Sequence, residues 1–120
     1  VAEKSGKMAR KYSVQWTASA QEDLKRVVDY LAQENPSLAL RILERIKGKA
    51  ADLYAFPDRG RVVPELKLHG SSLYREIIVL PWRIIYRIAD STVYVTAVLD
   101  SRRNIEDVLL ERLIRRRLGG

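Results

Sequence analysis

The sequence predicts an α+β domain in which a small, mostly antiparallel sheet packs against a long helical hairpin and a C-terminal helix follows. Three observations predict it. Residues 73–99 hold three short runs rich in Val, Ile, Tyr and Thr, separated by turn residues, as the strands of a meander are. Residues 19–54 hold two amphipathic helical stretches divided by Asn35-Pro36. The strands cluster after the helices instead of alternating with them, which is an α+β order. A chain of 120 residues, 47% of them hydrophobic, suits one domain that buries its core without metals or disulfides.

The elements follow in the order β-α-α-β-β-β-α. Lys11 to Thr17 alternates, with Tyr12, Val14 and Trp16 on one side and Ser13 and Gln15 on the other, so it reads as a half-buried strand joining the meander. Ser19 and Glu22 have the spacing of a capping box, opening a helix to about Glu34 whose apolar face holds Ala20, Leu24, Val27, Val28 and Leu31. Asn35 is a good N-cap and Pro36 suits a first helical turn. The second helix then runs to about Tyr54 on a stripe of Ala39, Ile42, Ile46, Ala50 and Leu53, with Gly48 weakening it from inside. Phe56 to Gly60 closes it, and residues 60–72 read as a loop with an extended piece at Val62-Val63.

Strands are expected at about 73–80, 83–89 and 92–99, joined at Leu80-Pro81-Trp82 and Asp90-Ser91. A last helix starts near Asn104 and ends near Arg117, with Glu106 and Asp107 in its first turn and Arg115, Arg116 and Arg117 in its last, complementing the helix dipole. Residues 1–10 are expected to be a disordered extension, 11–117 a single domain and 118–120 a tail.

Composition narrows the function. There is no cysteine and one histidine, which excludes disulfides, thiolate chemistry and cysteine-based metal sites; no metal and no cofactor are expected. No apolar run approaches the ~18 residues of a membrane span, so no membrane partner is expected and the cytoplasm is the default location. The net charge of +7 favours encounters with polyanions or acidic partners. No helix-turn-helix, RNA-recognition motif or phosphate loop is legible.

The arginines of the meander are the candidate site. If Leu80 to Trp82 form a three-residue turn, Val79 pairs with Arg83. Arg75, Ile77, Val79, Arg83, Ile85 and Arg87 then share an open basic face, while Tyr74, Ile78, Ile84, Tyr86 and Ile88 pack on the helices. A two-residue turn would split the arginines between faces and is read as placing Glu76 opposite Arg87. The first register is preferred because it leaves one clean core face. With Arg102 and Arg103 after the last strand, it makes Arg75, Arg83, Arg87, Arg102 and Arg103 the target-binding set, a surface that could lose Arg83 and Arg103 with the fold intact.

The segments GRVVPEL, LYREI, WRIIYRI and VLDSRRN, in this order of elements, resemble the RelE/ParE toxin superfamily over roughly Tyr12 to Leu113. The resemblance implies the toxin of a type II toxin–antitoxin module, plasmid-stabilising in character, held inactive by a cognate antitoxin through which it could oligomerise. It implies one of two targets. The RelE branch cuts messenger RNA on the ribosome, with basic residues and a Tyr; the ParE branch poisons DNA gyrase by binding. On the ribonuclease pattern Arg75, Arg83 and Arg103 match, but Ile77 replaces a second basic residue and the position expected for Tyr falls near Leu109. His69 and Glu76 are weak substitutes for the missing proton-transfer groups. The long hairpin and the missing groups favour the gyrase branch, which is not enzymatic; a ribosome-dependent endoribonuclease and a non-toxic nucleic-acid-binding module are the alternatives. Leu38, Leu43, Leu109 and Ile114 are the expected antitoxin-binding residues, as apolar anchors in a groove.

Overall fold

The structure is a computed structural model that describes residues 11–119, with side chains as far as Arg112. The extension expected at 1–10 lies outside the described residues, as do Gly120 and the side chains of Ile114 and Arg115 to Arg117. The elements are β1 (Ser13–Trp16), α1 (Ala18–Ala32), α2 (Pro36–Ala51), β2 (Arg61–Val62), α3 (Pro64–Leu68), β3 (Tyr74–Val79), β4 (Trp82–Ala89), β5 (Thr92–Asp100) and α4 (Ile105–Gly119). Two short 3-10 turns, Asp52–Tyr54 and Pro57–Arg59, lead from α2 to β2. The α+β architecture is therefore as expected; the extended piece read at Val62-Val63 is β2, one residue earlier, and α3 is added inside the segment read as a loop.

The helix ends show local chemistry at work. Asn35 caps α2 through its side-chain oxygen on the Leu38 N–H at 3.0 Å, with Pro36 following. Asn104 caps α4 by accepting from the N–H groups of Glu106 and Asp107. The cap of α1 is Thr17, whose hydroxyl accepts from the Ala20 N–H at 3.2 Å, not Ser19. Trp16 ends its pairing with β5 one residue before Thr17, so the helix begins as soon as the strand releases the chain.

The sheet order is β1-β5-β4-β3-β2, antiparallel except that β1 runs parallel to β5. Val79 pairs with Trp82, so the β3–β4 turn has two residues and the preferred three-residue register is wrong. The alternative's expected Glu76–Arg87 pair is also absent: Glu76 faces Ile85, and Arg87 faces Tyr74. The physical reason is that neither face is open. Ile84, Tyr86, Val79, Val93, Val95 and Val98 point into a core under α1 and α2. Across the sheet, Ile85, Ala97, Leu99 and Val63 form a second core with Ile105 and Val108 of α4. With both faces buried, one clean apolar face is no longer the criterion for register. A bulge between Ile85 and Tyr86 leaves Thr96 unpaired on β5 and flips the side-chain alternation there, which lets Val95 and Val98 enter the same core.

Beyond the end of β1 the outer edge of β5 would be left bare, and buried bare N–H groups are costly. Asp23 of α1, buried, accepts the Val98 N–H at 2.9 Å. Arg112 of α4 donates to the Thr96 carbonyl at 2.9 Å and also binds the Asp23 carboxylate. Two charged side chains from opposite ends of the chain thus finish the edge.

The other tight junction is at Gly60. Its N–H donates to the buried Tyr86 hydroxyl at 2.9 Å, and that hydroxyl donates to the Pro57 carbonyl at 2.6 Å. Burial pushes the Tyr86 phenol above its ordinary pKa. A Cβ on Gly60 would lie 2.4 Å from the Glu76 carbonyl oxygen, so the demand is for space. Gly60→Ala should therefore destabilise by more than about 2 kcal/mol through a backbone clash. Tyr86→Phe should cost about 1–3 kcal/mol by orphaning the Gly60 N–H and the Pro57 carbonyl. Urea melts of both variants measure this; a midpoint unchanged for either would show that the junction relaxes freely.

Candidate functional site

The five candidate arginines do not converge on one face. Arg75 pairs with Tyr86 and so lies on the hairpin side of β3, where its guanidinium donates to the Gly60 carbonyl at 2.7 Å. Arg83 and Arg87 lie on the other side of β4. Arg87 stacks over the Tyr94 ring, 4.6 Å from its centroid. Arg102 folds back on Asp100 through two side-chain bonds of 2.9 and 2.5 Å and a backbone one. That guanidinium, with the Arg102 N–H, holds the Asp100 carboxyl down to about 2. Arg103 is exposed on the same turn, and its side chain has no ion pair among the described residues.

Arg83 is the sharpest departure from expectation, because it is buried and fully engaged. Its Nε donates to Glu76 at 2.6 Å, and its two terminal nitrogens grip both oxygens of Glu65 at 2.8 and 2.7 Å. Glu76, itself 1% exposed, takes a second arginine, Arg61, at 2.7 Å. Two carboxylates and two guanidiniums thus neutralise one another, Glu76 and Arg83 in the interior and Glu65 and Arg61 nearer the surface, with bidentate geometry at the α3 end. The Arg83 bond is the main reason the Glu65 pKa is lowered, and the bond to Glu65 is likewise the main reason the Arg83 pKa is raised. Glu76 is therefore held as an ion-pair partner, and the structure leaves it no room to act as a base.

Sequence reading missed α3, which supplies Glu65. The signal was present in Val63-Pro64-Glu65: a proline at the first helical position with an acid beside it, before the apolar Leu66 and Leu68. His69, at the end of α3, binds Glu106 at the start of α4. Both side chains are exposed, so the contact ties two helices together at the surface. Among the described residues, no three of His, Asp and Glu converge as a metal site. No helix of the described residues is long and apolar enough to cross a membrane.

The apolar candidates also separate. Leu43 lines an open groove of about 750 Å³ between β1 and the two hairpin helices, walled by Val14, Trp16, Leu24 and Val28. Lys25, Asp29 and Lys47 stand at its polar margin. Leu38 is half-buried against the same core. Leu109 packs on the second core, across the sheet from the groove that Leu43 lines. The Ile114 side chain lies outside the described residues.

A sheet of this order, backed by a helical hairpin and crossed by a C-terminal helix, can be set beside known proteins. The family model described as the ParE toxin of the type II toxin–antitoxin system parDE matches residues 14–105. This chain belongs to that family. It is 33% identical over 91 residues to Toxin RelE2 of Caulobacter vibrioides, covering 75% of this chain and 96% of the relative. Among solved structures it resembles the chromosomal ParDE toxin–antitoxin system of P. aeruginosa, with a TM-score of 0.63 at 18% identity over 76% of this chain and 97% of that one. It also resembles the toxin–antitoxin complex RelBE2 of Mycobacterium tuberculosis, with a TM-score of 0.55 at 25% identity over 75% and 91% of the two chains. The 18% likeness shows the fold alone; the toxin family rests on the family model and the Caulobacter relative.

Within this ParE-family toxin the arginines carry unequal duties. Arg83→Ala should cost about 3 kcal/mol by leaving the buried Glu76 to Arg61 alone and Glu65 without its bidentate partner, whereas Arg103→Ala should stay within about 0.5 kcal/mol. Chemical denaturation of both variants checks this, and equal midpoints would refute the structural role of Arg83. Arg83 is thus not part of a surface that can be stripped with the fold intact, as the sequence suggests for it and Arg103: it is buried and ion-paired.

The sign of the Glu65 shift makes a pH prediction. Its folded pKa lies below the unfolded value of about 4.3, so its stabilisation is complete above about pH 5 and is lost as pH falls through the folded value. Thermal melts between pH 6 and 3 should show a steeper acid loss for the wild type than for Glu65→Gln. Parallel curves would mean that Glu65 contributes nothing to the acid limb.

Proposed function

We propose that this toxin acts by binding DNA gyrase and that a cognate antitoxin neutralises it, part of the antitoxin lying in the apolar groove beside Leu43. The observation that carries the choice of target is the enclosure of Arg83. A ribonuclease of the kind resembled needs cationic groups free to hold a scissile phosphate in the transition state. Here the β4 arginine gives its Nε and both terminal nitrogens to Glu76 and Glu65. Arg75 sits across the sheet from it. The helix that would carry the tyrosine, Ile105–Gly119, has none. A protein without a proton-transfer set can still inhibit by binding, and the gyrase mode asks only for that.

The antitoxin assignment draws support from the groove and from the relatives. The ParDE structure is of a toxin–antitoxin system and the RelBE2 structure of a toxin–antitoxin complex. The groove wall is apolar, open, and bordered by β1, which pairs on one edge only. An amphipathic segment recognised by apolar anchors fits such a surface. The toxin would be cytoplasmic, where gyrase and antitoxin both are.

The deciding experiment adds the purified toxin to gyrase with supercoiled plasmid, beside programmed ribosomes with messenger. Trapped, cleaved DNA with intact messenger is the expected result. Cut messenger with unaffected gyrase would overturn the target and reassign the chain to the ribosome-dependent endoribonucleases.

A further inference from the structure

The two helices of the hairpin treat charge differently. The exposed charges of α1 are matched within the helix: Lys25 pairs with Asp29 at 2.8 Å, and Arg26 with Asp23 at 3.4 Å and Glu22 at 3.9 Å. On α2 four cations, Arg41, Arg45, Lys47 and Lys49, stand against the single carboxylate Glu44. All four are exposed, and none has an ion pair among the described residues.

Arg41, Arg45 and Lys49 are spaced by four residues, so they form one row with a rise of about 6 Å per step. That is close to the axial advance of two nucleotides on one strand of a duplex, about 6.8 Å. Beside the row, between Arg45 and Lys49 along the helix axis, is Gly48. A glycine within a helix costs stability relative to alanine. Here a Cβ would meet nothing within 4 Å, so no packing inside the protein demands its absence. A smooth spot between cations, with open space above it, suits the close approach of something outside.

We infer that the outer face of α2, with Arg41, Arg45 and Lys49 around Gly48, is a sequence-independent contact for the phosphate backbone of duplex DNA. Phosphate recognition needs spaced cations and close backbone approach, with no apolar anchor. The row carries no aromatic side chain on which an unpaired base could stack, which disfavours a single strand. An acidic peptide would draw on apolar anchors as well, and those lie in the groove, not on this row. The contact goes beyond the gyrase reading and does not require it, because it concerns the toxin and DNA alone.

The test is fluorescence anisotropy of a labelled mixed-sequence 20-base-pair duplex with the full chain, at several salt concentrations and without gyrase. Arg41→Gln/Arg45→Gln/Lys49→Gln should weaken binding at least tenfold and reduce the slope of log affinity against log salt by about 2.7. Lys4, Lys7, Arg10 and the three C-terminal arginines remain in every variant, so the change in slope isolates α2. The α1 variant Lys25→Gln should bind as the wild type does. Gly48→Leu keeps every charge and should weaken binding at least threefold while its melting temperature holds or rises. The inference is overturned if the folded triple variant keeps the wild-type affinity and slope, if a polyglutamate peptide binds this face and the duplex does not, or if Gly48→Leu binds unchanged.

Discussion

A fully buried carboxylate, Glu76, is the constraint on which one whole side of this toxin depends. An isolated charge in the interior carries a desolvation penalty of several kcal/mol. Glu76 therefore has to be met, and it is met from two directions, by Arg83 of β4 and Arg61 of β2. Arg83 in turn draws in Glu65, which holds α3 over the sheet. Val63 and Leu66 come with that segment into the second core, beside Ile85 and the first turns of α4. Glu76 and Arg83 meet only when they share a face, and the two-residue turn at Leu80-Pro81 is what puts them there. The pair is best understood as fixing which strand register is allowed, since a hydrophobic pair of the same volume could match its stability.

Local signals were legible in the sequence, and distant pairings were not. Asn35-Pro36 and Asn104 mark helix starts because a cap acts over three residues. The strand runs were evident from branched and aromatic residues. Thr17 and Ser19 both offer a hydroxyl two residues apart, and only the point where β1 lets go of β5 decides between them. The bulge at Thr96 leaves no composition mark. The fate of Arg83 depended on a register shift of one residue and on a five-residue helix. Basic residues in a strand were therefore read as a surface, when one of them was the centre of a buried network.

The family's shared frame thus supports surfaces of different chemistry. The groove between β1 and the hairpin is apolar and open. The outside of α2 is cationic and smooth at Gly48. The turn after β5 presents Arg103 while its neighbour Arg102 is neutralised by Asp100. None of these overlaps the buried arginine network, so substitutions on these surfaces leave the ion pairs that hold the sheet in place.

The edge of β5 has a consequence for how the chain is completed. β1 is made first but lies beside β5, and Asp23 waits for the Val98 N–H and for Arg112, eighty-nine residues further along. The hairpin can form early from neighbouring residues, yet its core-facing side has no sheet to cover until the last third is made. Contacts so distant in sequence place the closure of the molecule late in folding. A nascent toxin is therefore an incomplete one, and its finished surfaces exist only after the C-terminal helix has left the ribosome that made it.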